Sequence, residues 1–478
     1  MDAPSALREP AAPSRDGERG GHRVYRAGSL RYTLGGLAFL FLWLLWGDFA
    51  FTFFENVFGR FLPLYLKDLD ASNTLIGVMT GSIAGVVNVL FLPHISRWSD
   101  GCRSCLGRRI PFLYVVTPVT VLFLVGIGYA PEIAARAYPW LHARVFSHLA
   151  PEVTAGGAVL AFLSVLVVGY HFFNMVLVNA YNWLIRDVVP EEVMARFLSW
   201  FRIVSTASSF AFLWWVFPHL KEYRKEIFLG IGLFYIAAFL LMCRCVKEGA
   251  YPPPPPKEDR PGLAKAYLLF FRECFALPIY RYFFIGSLSV VLAMSCPGSF
   301  FMLFTRNTLG LDMDSIGKIF AWSAAASMVI YFPMGWLCDR LNPLRVTLAG
   351  LAGLVAMSVL GWFVVRGRES FLAWTLVQTV PAAAWALGSL AASMRLFPKE
   401  KFGQFYSGLN IFGCGALIVG NYAVGKFMDF VHSDYRTTFL WSALFYAVAA
   451  YPFCVVYREW KRHGGAAAYV APLPPAQA

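Results

Sequence analysis

Trp98-Ser99-Asp100-Gly101-Cys102-Arg103-Ser104-Cys105-Leu106-Gly107-Arg108-Arg109-Ile110-Pro111 is a short polar stretch between two long apolar runs. It holds three arginines, an aspartate and two glycines in a chain that is 58% hydrophobic and 14% charged. Charges and irregular backbone find no partners in hydrocarbon, so the stretch faces water. Its arginines assign it to the cytoplasmic side. A shorter echo, Leu337-Cys338-Asp339-Arg340-Leu341-Asn342-Pro343, follows about 239 residues later, half a chain on. Two copies of one loop at that spacing imply two homologous membrane halves.

The composition agrees. So low a share of charge over 478 residues marks a polytopic membrane protein rather than a soluble one. The net charge of +13 fits positive cytoplasmic loops. No basic cluster interleaved with aromatics lies away from the membrane-flanking loops, so nucleic acid is not an expected partner. Cys102-x-x-Cys105 has no second pair or nearby histidine to complete a metal site, so no metal or cofactor is expected. No Gly-rich phosphate loop or nucleophile elbow is present, which argues against an enzyme.

Twelve apolar runs are each near the ~20 residues that span a bilayer. They cover about 34–56, 74–96, 110–130, 155–178, 199–217 and 227–245, then 279–303, 314–337, 344–365, 371–393, 405–425 and 437–457. The expected fold is an all-α membrane protein of twelve transmembrane helices in two pseudo-symmetric six-helix bundles, 32–245 and 279–458. Residues 1–31 lack the apolar segment and cleavage site of a signal peptide and read as a disordered cytoplasmic tail. Residues 459–478 read as a second cytoplasmic tail. The stretch 246–278 carries Pro252 to Pro256 in a row, which forces an extended linker. Its Ala264–Leu269 part could form a short interfacial helix. Lys and Arg are about twice as frequent on the side of the termini, which places both termini and the linker in the cytoplasm.

Further echoes support the repeat. Asp70 to Gly77 opens the second run as Asp312 to Gly317 opens the eighth. The loop Asp187 to Arg196 is matched by Leu396 to Gly403. The outer stretch 131–154 has no counterpart.

Charges inside spans cost about 2.5 to 3.5 kcal/mol near a helix centre, so those retained usually serve a ligand, an ion or a partner charge. Asp48 and Glu55 lie seven residues apart on one face of the first span. Either could bind hydroxyls or carry a proton; either could instead sit in a structural ion pair. In the fourth span His171 and Asn174 share a face, and His171 could shuttle protons or bond a neighbouring helix. Arg202 opens the fifth span, as a cavity group or an interfacial anchor. In the second half Gln378, Trp385 and Asn410 are candidate substrate contacts, with Ser295 and Tyr331 beside them. Tryptophan stacks on a sugar ring and amides bond its hydroxyls.

Asp-x-x-Arg-x-x-x-Gly-Arg-Arg, at Asp100, Arg103, Gly107, Arg108 and Arg109, resembles the signature loop between helices 2 and 3 of the major facilitator superfamily. Ser99-Asp100 … Gly107-Arg108-Arg109-Ile110-Pro111-Phe112 is similar to the branch of glycoside–pentoside–hexuronide cation symporters and sucrose transporters. The resemblance implies the major facilitator fold. It also implies a secondary transporter of a sugar or glycoside, a monomer in the bacterial inner (plasma) membrane. By the same resemblance Asp48-Phe49-Ala50, Asn174 and Arg202 stand where melibiose-type members bind sugar, with an amide in place of an acid at Asn174. Asn88 and Leu92 stand where those members hold acidic cation ligands before a proline, here Pro93, and Cys414 where they hold a lysine. Leucine supplies no oxygen for a hard cation. This favours the proton over sodium, through Asp48, Glu55 or His171, or else uncoupled transport. The signature loops are expected to gate the cytoplasmic side, with Asp100 meeting arginines of its own loop or a helix end of the other half. Arg103, Gly107, Arg108, Arg109, Asp187, Arg196, Asp339 and Arg340 belong to the same gate. An exporter of lipophilic molecules is the alternative within this class; a membrane-embedded sensor or enzyme lies outside it.

Overall fold

The structure is a computed structural model that describes residues 24–146, 154–251, 275–398, 401–465 and 469–472. A small hairpin opens it, with β1 (Tyr25–Ala27) antiparallel to β2 (Leu30–Tyr32). Helices follow as α1 (Leu34–Asp68), α2 (Asn73–Gly101), α3 (Ile110–Gly128), α4 (Ala130–Leu141), α5 (Ala155–Val188) and α6 (Glu191–Ala211). A π-helical turn, Phe212–Val216, prolongs α6, and α7 (Arg224–Cys245) ends the first half. The second half comprises α8 (Pro278–Thr308), α9 (Met313–Leu341), α10 (Pro343–Val364), α11 (Arg368–Leu396), α12 (Phe402–Phe430) and α13 (Thr438–Arg462).

The helices start where the chain supplies caps. Thr33 and Ser72 accept from the backbone N–H of Gly36 and Leu75, which begins α1 and α2. Asn342 accepts from Leu344 N–H ahead of Pro343 at the first position of α10. Wide apolar surfaces remain outward, with Val115, Leu122 and Phe332 each about two-thirds exposed. Lipid, not water, solvates such surfaces.

Leaving out α4, twelve long helices alternate in direction, as the repeat requires. Among the described residues eleven are long and apolar enough to cross a membrane. The one that is not is α6 with its extension, because Arg202, Ser205, Thr206, Ser208 and Ser209 make it polar. It is nevertheless helical over the predicted fifth span, and its polar side packs inward: Ser205 and Ser208 both bond α1.

Three expectations change. Residues 24–32 are not a free tail: Gly28, at φ +56°, turns the hairpin, Tyr25 is buried, and Ser29 accepts from Ala250 N–H after α7. The first run does not end at 56 but continues as α1 to Asp68. Arg60, within this continuation, lines the cavity between the halves, so its charge does not stop the helix. The outer stretch 131–154 begins as α4, held where Glu132 pairs with Arg224 and Lys225 on α7. The prolines Pro252 to Pro256, the segment Ala264–Leu269 and most of both tails lie outside the described residues.

Within each half the helices pack closely: α1 on α6 and α7, α3 on α5 and α7, α8 on α12 and α13, and α10 on α11 and α13. Between halves, α2 meets α12 and α6 meets α9, a pseudo-symmetric pair of contacts.

Candidate functional site

The signature loop sits at the end of the molecule that carries the termini. Its charges close on their own half. Arg109 bonds Asp100 Oδ1 at 2.5 Å and Ser99 Oγ at 2.6 Å, and Arg108 forks onto Asp187 at 2.8 and 3.1 Å. Glu248, just past α7, accepts the backbone N–H of Arg108, Arg109 and Ile110 at 2.7 to 2.9 Å. A carboxylate there caps the first N–H groups of α3 and meets its positive dipole end. Tyr251 donates to Glu248 and lies under the Arg108 guanidinium at 4.0 Å. Burial, then the charge of Glu248, pushes its phenol well above the ordinary range. Arg103 donates to the carbonyls of Asp100 and Cys102.

Of the two partners expected for Asp100, the structure shows the arginines of its own loop, Arg109 at 2.5 Å and Arg108 at 4.0 Å. Arg108, Arg109 and Asp100 already satisfy one another and Asp187. On the second half Asp339 is exposed and Arg340 lies over Trp336 at 4.3 Å; Arg196 is exposed.

The contact between halves is made at the opposite end instead. Asp429 on α12 accepts four hydrogen bonds from the start of α2: Asn73 N, Asn73 Nδ2, Thr74 N and Thr74 Oγ1, at 2.5 to 3.0 Å. Ser433 and Tyr435 add bonds to Asn73. Arg306 pairs with Asp68 at 2.7 Å. Lower down, Thr80 bonds Ser299, Ser299 donates to Asn421, and Ser82 donates to Ile418 O. Gly77, Gly81 and Gly85 line this face of α2; a Cβ at 77 or 81 would overlap Asn421, and one at 85 would overlap Ile418. Small residues four apart let the backbones approach. The bonds that Asp429, Ser433 and Tyr435 make to Asn73 and Thr74, the Arg306–Asp68 pair and the bonds of Thr80 and Ser82 all lie in this part of the molecule. The seal is therefore at the end away from the termini.

Beneath the seal lies a cavity of about 480 Å³ beside Thr80, Ser299 and Asn421. It shares Gly59, Met294 and Gly298 with a larger one of about 680 Å³ between the halves. The first half lines the larger cavity with Thr52, Glu55, Asn56, Arg60 and Ser209, the second with Phe320, Tyr331, Gln378, Trp385 and Tyr446. Both charges in its walls, Glu55 and Arg60, come from α1. Glu55 accepts from Asn174 Nδ2 at 3.1 Å. Asn56 donates to Ser209 at 3.1 Å, fixing α6 against α1. Gln378 Oε1 and Asn174 Oδ1 are buried without a hydrogen-bond partner.

The candidate residues divide three ways. Glu55, Gln378, Trp385 and Tyr331 line the large cavity, and Ser295 lines the smaller one. Asp48, Asn174 and His171 lie behind the wall. Asp48, 1% exposed, accepts from Ser205 at 2.6 Å, and His171 Nε2–H donates to Met79 O at 2.8 Å. Arg202 and Asn410 are exposed and line neither cavity, and among the described residues no carboxylate lies within 4 Å of Arg202. Asn88 donates to Ala84 O inside its own helix. Arg60, Asn56, Thr52 and Ser209 are cavity residues that the sequence did not single out; all four are polar side chains on α1 or α6.

Comparison with known proteins bears on the fold. The profile of the Major Facilitator Superfamily matches residues 283–471. Protein PucC of Cereibacter sphaeroides is 24% identical over 373 residues, 72% of this chain and 73% of that protein. A bacterial homologue of the human lysosomal transporter Spinster, inward-facing and unoccupied, superposes with a TM-score of 0.65 at 14% identity, over 89% of this chain and 98% of its own. A bacterial homologue of the iron transporter ferroportin gives 0.63 in its inward-facing state and 0.57 in its outward-facing state. Both ferroportin-homologue structures are 15% identical to this chain, covering 88% and 87% of it and 99% of their own length. The chain is a multi-pass membrane protein of the major facilitator fold, and its C-terminal half carries the sequence pattern of the Major Facilitator Superfamily.

Proposed function

We propose that this protein is a secondary transporter that moves a small polar solute, a sugar or glycoside in the first instance, together with a proton by alternating access. The observation that carries this reading is the larger cavity between the halves. It sits under a polar seal, and amides, hydroxyls and aromatic rings share it with the half-buried carboxylate of Glu55. Trp385 stands edge-on to Phe453, leaving a ring face for a sugar, while Gln378, Asn56 and Ser209 offer hydrogen bonds. Glu55 is the cavity's own acid and serves as the proton carrier. Asp48, one face and two turns away, is its relay behind Ser205.

The Lys and Arg bias puts the termini in the cytoplasm, so the seal at Asp429 and Arg306 closes the outside and the structure is the inward-facing state. Rocking of the halves would break that seal and let the termini end close. The membrane is the bacterial inner membrane. The exporter reading draws on a different observation: Arg202 lies outside a cavity whose remaining wall includes Met294, Pro297, Phe301 and Met302.

Uptake of labelled mono- and disaccharides into vesicles of purified protein, under a pH gradient or a sodium gradient, tests the proposal. Accumulation under the pH gradient alone is expected, and Asp48→Asn is expected to abolish it. Absence of sugar uptake under either gradient would leave the exporter.

A further inference from the structure

Arg60 is the cavity's unanswered charge. It is in the wall of the 680 Å³ space, on the inner face of α1. The acids of this helix have partners: Asp48 has Ser205, Glu55 has Asn174 and Asp68 has Arg306. Arg60 donates no hydrogen bond among the described residues, and no carboxylate there lies within 4 Å of it. Its guanidinium reaches across to the other half, 5.5 Å from the Phe320 ring. An arginine in a membrane interior is costly and is retained for a counter-charge. Here the counter-charge is missing, and the space beside the guanidinium is open.

We propose that the transported solute carries an anionic group, a carboxylate, and that Arg60 holds it. The guanidinium fork matches a carboxylate with two parallel hydrogen bonds. A solute seated there reaches both halves at once. Gln378 Oε1, buried without a donor, accepts from a hydroxyl or N–H at its other end. The charge balance also supplies the coupling. With Glu55 ionised the cavity walls sum to zero. With Glu55 protonated they sum to +1, and a monoanion restores neutrality. Proton and anion therefore favour each other's entry. The inference rests on the transport reading, but not on the solute being a sugar.

The test compares matched acids and neutral parents, D-glucuronate with D-glucose and benzoate with benzyl alcohol. Binding is read as thermal stabilisation of the detergent-solubilised full chain, and uptake is read in vesicles under a pH gradient. At least one carboxylate is expected to bind more tightly than its neutral partner. Arg60→Gln is expected to weaken it about 10- to 100-fold, the range of a lost charge-assisted hydrogen bond. Arg60→Lys, which keeps the charge but not the fork, is expected to fall between. If Arg60→Gln does not fold, the acid-to-neutral ratio of the wild type and of Arg60→Lys decides. Equal binding of acids and neutral parents, or carboxylate binding untouched by these variants, would overturn the inference. Carboxylate binding through Arg60 without uptake would uphold it and remove the proton-coupled reading. Accumulation of glucose but not glucuronate would do the reverse.

Discussion

Gly107 shows how one residue position can be fixed by its surroundings. Its φ of +114° lies where side chains are strained, and an added Cβ would overlap the Glu248 carboxylate. That carboxylate accepts the N–H groups of Arg108, Arg109 and Ile110 where the chain enters α3. Gly107→Ala is therefore expected to destabilise the first half by roughly 2 kcal/mol. A fall of several degrees in the unfolding midpoint in detergent checks this; an unchanged midpoint would mean that the loop tolerates a side chain. The sequence displayed Gly107 and its arginines plainly. Glu248 was not legible, because it is 140 residues from Arg108 and nothing local marks it. Arg60 was missed for a different reason. Ending the first span at 56 left it outside the membrane, whereas α1 runs on to Asp68. Arg202 was legible as a charge near a span end, but its exposure depends on how α6 is rotated, and rotation is set by packing.

At the scale of elements, the seal between α2 and α12 controls the conformation. Asp429 gathers four hydrogen bonds from Asn73 and Thr74. Hydrogen bonds to a charged group contribute about 1.5–3 kcal/mol each way, enough to shift a two-state balance roughly 10- to 100-fold. Asp429→Ala is expected to favour opening at this end. A cysteine placed at Thr80 in a cysteine-free background should then react faster with an impermeant maleimide. Equal rates would mean that Asp429 does not hold the seal. The glycines at 77, 81 and 85 make a small-residue face whose role shows only in the packing, where α12 meets it. Helix α6 was legible as the apolar run 199–217, although its serines and Arg202 dilute its apolar content. The hairpin 25–32 escaped notice because three-residue strands leave almost no periodic signal.

At the scale of the whole molecule, the two halves, their directions and their pseudo-symmetry were all readable from the repeated loop and the twelve runs. Their relative tilt was not, because it is set by contacts between residues hundreds of positions apart, such as Asp429 with Asn73. In the proposed mechanism Glu55, in the space between the halves, couples a proton to the solute. Accumulation of a solute found to be carried, in vesicles with an imposed pH gradient, is to be compared for the wild type and Glu55→Gln. The wild type is expected to concentrate the solute. Glu55→Gln is expected to lose concentration by about 10-fold or more yet still exchange labelled for unlabelled solute, since binding and rocking survive without the titrating group. Undiminished accumulation by Glu55→Gln would contradict this mechanism.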